Sequence, residues 1–160
     1  MITATLKLCT TQLRTTVLAV DTTGLEQMVC FQLYAASRAM TALYRPHLDA
    51  VNLTYPQYIA LRVLWHQGPV TVRTLGQTLH LDSGTLSPLL KRLETQGRIR
   101  RERGTTDERT VWIHLTDAGL RLRDQLADLP ERAACSTGLT AGDYEYLQDM
   151  LGRIRGNAPA

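Results

Sequence analysis

The stretch SGTLSPLLKRLETQGRIRRERGTTDERTVWIHLT, residues 83–116, decides the fold of this 160-residue chain. Four leucines in its first half recur at the spacing of one face of an amphipathic helix. They are Leu86, Leu89, Leu90 and Leu93. Gly97 follows them in the position where glycine commonly ends a helix. The stretch therefore opens with a helix that buries a leucine stripe and leaves a polar face exposed.

Beyond Gly97 the hydrophobic pattern changes from the period of a helix to the period of a strand. Two strands are predicted at residues 98–103 and 110–115, joined by a polar tip at residues 104–109. A shorter helix is predicted at residues 73–79, separated from the leucine-striped helix by a tight polar turn. A helix, a turn, a second helix and a β-hairpin in this order form a winged helix-turn-helix. The predicted fold is therefore mainly α-helical with a small β-wing.

Further helices are predicted on both sides of this motif. The first runs from about residue 25 and ends at Pro46, because proline removes a backbone donor. The next is capped by Thr54, with Gln57 placed to complete a capping box. A long helix follows the hairpin, and Pro130 is expected to kink or split it.

The composition is that of a globular protein with a hydrophobic core, since 44% of the residues are apolar and 21% are charged. No apolar run approaches the roughly 18 residues that a membrane-spanning helix needs. Three cysteines are too few for a disulfide-rich scaffold, and residues 1–24 lack the continuous apolar run of a secretory signal. We therefore expect a cytoplasmic protein without a membrane partner, with one domain at residues 25–156 preceded by an arm at residues 1–24.

The net charge of +3 is concentrated in one segment. Residues 91–109 hold seven basic and four acidic side chains, so this segment carries the whole excess. Such a local positive charge is what a polyanionic partner requires. We predict that the polar face of the leucine-striped helix contacts DNA bases and phosphates, and that the hairpin tip enters a minor groove. The predicted DNA-binding residues are Ser83, Thr85, Ser87, Lys91, Arg92, Arg103, Asp107 and Arg109.

Residues 107–116, DERTVWIHLT, match the pattern D-x-R-x-x-x-[VI]-x-L-T. This pattern covers the wing and the following helix in the MarR superfamily of dimeric winged-helix transcription regulators, which the chain resembles. Four upstream stretches resemble the organic-hydroperoxide-sensing branch of that superfamily, the OhrR repressors. They are VCFQLYAASR at 29–38, YRP at 44–46, LTYPQY at 53–58 and LHLDSGTLSPLLKRLE at 79–94. The resemblance covers about residues 25–155.

The resemblance implies a homodimeric repressor that binds a pseudo-palindromic double-stranded operator and is released from it by an organic hydroperoxide. It implies no cofactor and no metal. The DNA-binding lobe would span about residues 54–116. The dimerisation helices would lie at about residues 25–48 and 117–155.

The same resemblance implies a redox role for two of the three cysteines. Cys30 has the position of the peroxide sensor, and Cys135 that of a second cysteine that resolves the oxidised sensor as a disulfide across the dimer. Tyr44 and Tyr55 have the positions of two tyrosines whose hydroxyls reach the sensor, and Tyr34 is a weaker candidate for the same pocket. The chemistry fits these residue types, because a thiolate attacks the O–O bond and phenolic hydroxyls stabilise a thiolate without adding a full charge. The remaining cysteine, near the N-terminus, matches no functional position.

Two other functions stay open at this level. A MarR-type repressor could instead be released by a small aromatic ligand held among its tyrosines, without thiol chemistry. A thiol peroxidase could use Cys30 and Cys135 catalytically, with Arg38 as the cationic group near the thiolate. Release that requires a thiol argues against the first alternative. The second leaves the basic segment unexplained, and turnover with a thiol reductant is its test.

Overall fold

A computed structural model describes residues 24–104 and 110–157 of the chain. The chain divides into two compact units. One, here called the central unit, is Tyr44–Leu129, and the other, the terminal unit, combines Met1–Leu43 with Pro130–Ala160. Within the described residues, no helix is both long and apolar enough to cross a membrane.

Seven α-helices and three strands make up the described parts of the two units, together with a short 3-10 helix at Leu25–Gln27. In chain order they are α1 Val29–Asp49, α2 Tyr55–Gln67, β1 Val70–Thr71, α3 Val72–Leu79, α4 Ser83–Thr95, β2 Ile99–Arg103, β3 Val111–Leu115, α5 Asp117–Gln125, α6 Leu129–Ser136 and α7 Ala141–Asn157.

The strands form an antiparallel sheet in the order β1-β3-β2. Ile99 pairs with Leu115 at the base of the hairpin, and Arg103 pairs with Val111 toward its tip. On the other side of β3, Val70 pairs with Ile113. The predicted mainly α-helical fold with a β-wing is confirmed, and the two predicted hairpin strands begin and end within one residue of the observed ones.

The core of the central unit is one cluster of seventeen buried apolar residues. All four leucines of the α4 stripe belong to it, as the sequence predicts. Removing a leucine side chain of this kind from water contributes about 2 kcal/mol, so α4 is held mainly by its buried face. Its opposite face is thereby left to the solvent.

Helix ends follow their capping residues. The backbone N–H of Thr54 donates to Oε1 of Gln57 at 2.8 Å, which is the side-chain half of the predicted capping box. Gly97 has a φ of 67°, the left-handed conformation that glycine adopts after a helix. Thr140 and Asp143 exchange hydrogen bonds in the same way at the start of α7.

The prediction that Pro46 ends the first helix is wrong. Helix α1 continues to Asp49 and contains Pro46 in its last turn. The carbonyl group that loses its donor there belongs to Ala42, an exposed residue. A proline is therefore tolerated, because only three helical residues follow it. The predicted start at residue 25 is also early, since a 3-10 helix precedes α1.

The predicted long helix is divided in two, as expected, but the break precedes Pro130. Helix α5 ends at Gln125, and Pro130 is the second residue of α6. In a first helical turn the N–H that proline lacks has no intrahelical partner, so the residue begins a helix there at little cost.

A close backbone approach fixes the base of the wing. A Cβ atom added to Gly119, in the first turn of α5, would lie 2.1 Å from the carbonyl oxygen of Arg98. The same carbonyl accepts the backbone N–H of Thr116 at 3.1 Å, and the Thr116 hydroxyl donates to the carbonyl of Gly97 at 2.6 Å. Indole Nε1 of Trp65, on α2, donates to the carbonyl of Gly119 at 2.9 Å. Only glycine fits at this position.

Replacing Gly119 by Ala should therefore destabilise the protein by roughly 2–3 kcal/mol, because the backbone of Arg98 or of α5 must move to admit the methyl group. The measurement is chemical or thermal unfolding. The matched control is Gly142→Ala, also in the first turn of a helix, where the nearest atom to the added Cβ is 4.0 Å away. A Gly119→Ala variant as stable as the Gly142→Ala variant would contradict the close approach.

Candidate functional site

The turn between α3 and α4 is set by a second close approach. His80 ends α3 in the left-handed conformation, with φ 53°, and the N–H of Leu81 donates to the carbonyl of Gly76 at 3.0 Å. A Cβ atom on Gly76 would lie 3.1 Å from the Leu81 carbonyl oxygen and 3.4 Å from a methyl group of Leu86. The small residue thus lets α3 pack tightly against the turn and fixes the direction in which α4 leaves it.

Asp82 caps the first turn of α4. Its carboxylate accepts the backbone N–H of Thr85 at 2.9 Å and the Thr85 hydroxyl at 3.0 Å. These hydrogen bonds hold the pKa of Asp82 below its usual value. The Thr85 hydroxyl is already used in this cap, because it donates to Asp82. The exposed hydroxyls of Ser83 and Ser87 are not part of the cap.

Two of the predicted DNA-binding cations project from the exposed face of α4. Lys91 and Arg92 are both exposed, on the side opposite the leucine stripe. Among the ion pairs of the described residues, none involves either side chain. Their charges are therefore available to a partner.

Arg101 connects the wing to α4. Its guanidinium lies 3.3 Å from a carboxylate oxygen of Glu94 and donates to the carbonyl of Ser87 at 3.4 Å. Its backbone N–H donates to the second Glu94 oxygen at 3.2 Å. This role was not predicted from the sequence, although strand alternation places Arg101 on the same face as the buried Ile99. Arg101 positions the wing on the helix.

The other face of the wing carries a second charged group. Glu102 pairs with Arg100 and lies 3.4 Å from Nε2 of His114. The hydrogen bond and the charge of Arg100 lower the pKa of Glu102. Arg103 is exposed at the end of β2. The two remaining predicted DNA-binding residues, Asp107 and Arg109, lie outside the described residues.

The two predicted redox cysteines both belong to the terminal unit. Cys30 is the second residue of α1 and is exposed, and Cys135 is the last residue but one of α6 and is partly buried. Neither is in a disulfide in this structure. Cys9, the third cysteine, lies outside the described residues.

Tyr44 and Tyr55 lie together in the central unit. Their ring centroids are 5.0 Å apart in an edge-on arrangement, and the Tyr58 ring lies 5.8 Å from Tyr44 and 6.3 Å from Tyr55. Only 3% of Tyr58 is exposed. Burial raises the pKa of Tyr58, and the nearby charge of Arg62 partly offsets that rise.

Tyr34 is placed differently from these three tyrosines. It belongs to the terminal unit and is exposed on α1. Arg38, one helical turn later, donates to the Tyr34 hydroxyl at 3.0 Å and lies over its ring at 5.7 Å. Tyr34, the weaker candidate for the sensor pocket, is thus held by Arg38 of its own helix.

The fold and the exposed basic face of α4 define a winged-helix transcription regulator. A family model described as the transcriptional regulator SarA/Rot matches residues 42–126, more than half of the chain. The chain belongs to this family of transcriptional regulators, and its resemblance to the OhrR branch of the MarR superfamily is confirmed by the relatives that it matches.

Three relatives illustrate the match. An organic hydroperoxide resistance transcriptional regulator of Bacillus subtilis (strain 168) is 52% identical over 82% of this chain and 89% of its own length. The structure of reduced AbfR bound to DNA has a TM-score of 0.69 at 34% identity and covers 82% of this chain and 92% of that chain. The structure of disulfide-formed AbfR, a protein of Staphylococcus epidermidis, has a TM-score of 0.61 at 33% identity over 83% of this chain and 93% of that chain.

These relatives are regulators of transcription and not enzymes. The chain is accordingly a regulator, and the thiol-peroxidase alternative is not retained.

Replacing Asp82 by Ala should lower the thermal midpoint at pH 7 by a few degrees, because the first turn of α4 loses its cap. The folded-state pKa of Asp82 is depressed, so its stabilising contribution is present above the unfolded pKa of about 4 and is lost as the pH falls through the lower folded value. The difference between Asp82→Ala and the parent should therefore shrink in acid. Ser83→Ala, one residue on and also exposed, is the control. Equal midpoints for Asp82→Ala and Ser83→Ala at pH 7 would rule out the cap.

Proposed function

We propose that this chain is a homodimeric, DNA-binding transcriptional repressor that organic hydroperoxides release from its operator by oxidising Cys30. The observation that carries the proposal is the exposed Cys30 thiol in the first turn of α1, in a chain 52% identical to a regulator of organic hydroperoxide resistance. The oxidised sensor is then resolved by Cys135 of the partner subunit. Tyr44 and Tyr55, whose rings contact each other in the central unit, are the proposed phenolic hydrogen-bond donors of the sensor.

The exposed face of α4 supports the DNA-binding part of the proposal. It presents the Ser83 and Ser87 hydroxyls near the helix start, with Lys91 and Arg92 one to two turns further. Hydroxyl groups suit base edges and phosphates, and the cations suit the phosphate backbone. The wing, held against α4 by Arg101, carries the exposed Arg103 toward its tip. Two copies of such a unit match the two half-sites of a pseudo-palindromic operator.

The poor core of the terminal unit supports a homodimer. Of the eighteen buried apolar residues in the described part of the chain, only Ala133 belongs to this unit. Eight of the ten large exposed apolar side chains belong to it, including Val29 on α1 and Tyr146, Leu147 and Ile154 on α7. A unit that exposes its apolar residues in this way needs a second surface to cover them. A second copy of the chain, joined through these helices, supplies that surface.

Replacing Leu147 by Asp should weaken dimerisation about 100-fold or more, because a symmetric interface contains each substitution twice and each buried leucine contributes about 1.5–3 kcal/mol. The measurement is sedimentation velocity across a range of concentrations. Trp112→Asp is the matched control, since Trp112 is about as exposed but lies on β3 of the wing, outside the expected dimerisation helices. A Leu147→Asp variant that remains as dimeric as the Trp112→Asp variant would contradict an interface made by α7.

The proposed redox chemistry has two steps. The Cys30 thiolate attacks one peroxide oxygen, the O–O bond breaks, and the second oxygen leaves as an alcohol after taking a proton. Cys30 is thereby oxidised to a sulfenic acid and the hydroperoxide is reduced. The thiolate of Cys135 from the partner subunit then attacks the Cys30 sulfur and displaces hydroxide, which leaves as water, so that a disulfide joins the chains.

The structures of AbfR support this scheme, since that protein has been seen in a reduced, DNA-bound form and in a disulfide form. In the present chain both thiols lie on helices of the terminal unit, which we propose to be the dimer interface. A disulfide formed there changes the spacing of the two α4 helices. Affinity falls because a dimer with the wrong spacing contacts only one half-site.

Replacing Cys30 by Ser should leave operator binding intact but abolish its release by cumene hydroperoxide, because a hydroxyl does not attack the peroxide at neutral pH. The measurement is fluorescence anisotropy of labelled operator, titrated with hydroperoxide in the absence of reductant. If the Cys30→Ser protein is still released, the thiol mechanism is wrong. Release by a small aromatic ligand then becomes the better account.

The partner-subunit disulfide has its own test. A Cys30→Ser chain and a Cys135→Ser chain are co-expressed with tags of different length, and Cys9 is replaced by Ser in both. Each chain then lacks one of the two thiols, so the only Cys30–Cys135 disulfide possible joins unlike chains. We expect hydroperoxide to produce a mixed dimer band on a non-reducing gel. If the chain that keeps both Cys30 and Cys135 forms a disulfide on oxidation but the mixed pair gives no dimer band, the disulfide lies within one chain.

A further inference from the structure

One ring of the central unit contacts both of the tyrosines proposed as hydrogen-bond donors of the sensor. Tyr58 lies on α2 one turn after Tyr55, at a spacing that places the two side chains on the same side of the helix. Its ring centroid is 6.3 Å from that of Tyr55 and 5.8 Å from that of Tyr44, which belongs to α1. Both separations lie in the range of aromatic contacts. Tyr58 therefore packs against two rings that come from different helices.

Tyr58 is itself firmly held. It is 3% exposed and belongs to the buried core of the central unit. On α2, seven residues further on, the ring of Trp65 lies edge-on to it at 6.1 Å between centroids. The indole N–H of Trp65 donates to the carbonyl of Gly119 at 2.9 Å, which fixes the orientation of that ring. A side chain packed in this way has little room to turn.

The two rings that Tyr58 contacts are less enclosed. Tyr44 and Tyr55 are partly buried and pack at the edge of the same core. The hydroxyl of a tyrosine lies at the far end of its ring, so a small rotation of the ring carries the oxygen out of hydrogen-bond range of a fixed acceptor. The direction of both hydroxyls thus depends on what holds the two rings, and Tyr58 contacts both.

We propose that Tyr58 is a positioning residue for the oxidation of Cys30. Its ring holds those of Tyr44 and Tyr55 in the orientation in which their hydroxyls donate to the Cys30 thiolate. This inference rests on the function proposed above and adds to it a residue that does not touch the reacting atoms.

The ring of Tyr58, and not its hydroxyl, has this role. The hydroxyl oxygen is shielded from solvent, and the charge that acts on it is that of Arg62, on the same helix. A hydroxyl enclosed in the core is not available to a thiolate or to a peroxide that arrives from solvent. Phenylalanine should therefore replace Tyr58 without loss, whereas an aliphatic residue should not.

The test uses the full-length chain with Cys9 and Cys135 replaced by Ser, so that Cys30 is its only thiol. Loss of this thiol to cumene hydroperoxide is followed by mass spectrometry between about pH 5 and 9. Tyr58→Leu should slow the reaction at pH 7 about fivefold or more, because a thiolate with weaker hydrogen bonds forms less readily. The pH of half-maximal rate should rise, and the rates should converge in alkali. Tyr58→Phe should match the parent at every pH.

Leu75→Val is the matched control, since Leu75 is fully buried in the same core but lies on α3. It should lower the thermal midpoint and leave the pH profile of the Cys30 reaction unchanged. If Tyr58→Leu fails to fold, Tyr58→Met takes its place with the same expected shift, because the flexible methionine side chain fills irregular space.

Two results overturn the inference alone. One is a Tyr58→Leu or Tyr58→Met profile that coincides with those of the parent and of Leu75→Val. The other is a Tyr58→Phe variant that reacts as slowly as Tyr58→Leu, which would assign the effect to the hydroxyl. A parent chain whose Cys30 does not react with the hydroperoxide would overturn the proposed function and this inference with it.

Discussion

The backbone contact between Arg98 and Gly119 is the constraint on which the winged-helix unit depends. It sets the distance between the start of β2 and the first turn of α5, and it admits no side chain. Thr116 closes the same junction by bonding to the carbonyls of Gly97 and Arg98. Trp65 joins α2 to this junction, because its indole N–H donates to the carbonyl of Gly119. The end of α4, the base of the wing, α2 and α5 thus meet at one small set of backbone atoms.

From this junction the orientation of the DNA-facing surface follows in two steps. The leucine stripe of α4 is buried in the core, which fixes the rotation of the helix about its axis and turns Lys91 and Arg92 outward. Arg101 then ties β2 to α4 through Glu94 and the backbone of Ser87. A partly buried ion pair with supporting hydrogen bonds defines geometry more than it adds stability. The basic segment therefore contains residues of two kinds, some that position the wing and some that remain available for DNA.

The sequence predicts those features that depend on local pattern. The α4 stripe, the glycine after it and the cap at Thr54 each follow from the spacing of a few neighbouring residues, and all three are observed. Pro46 misleads because its cost depends on the exposure of a carbonyl one turn earlier, which no local pattern reveals. Arg101 is missed for a related reason, since its charge suggests solvent while its position in β2 directs it toward α4.

Features that depend on long-range contact could not be predicted from spacing. Arg98 and Arg121 line a common cavity only because the wing returns to α5 at Gly119, so this arrangement is visible in the structure alone. The contact between the rings of Tyr44 and Tyr55 could be predicted in part. The resemblance suggests a common pocket, and the structure supplies the 5.0 Å separation of the ring centroids.

The uneven distribution of buried residues bears on how such a regulator can switch. The central unit has its own core of seventeen apolar residues, whereas the described part of the terminal unit buries a single alanine fully. Elements with few buried contacts rearrange at low free-energy cost, while a packed core resists deformation. Both candidate redox cysteines lie in the terminal unit. In the proposed dimer, oxidation there would rearrange the helices that join the two chains, while each central unit, held by its own leucines and by the Gly119 junction, keeps its fold. Under the proposed mechanism, what changes on oxidation is the spacing between two intact DNA-reading units.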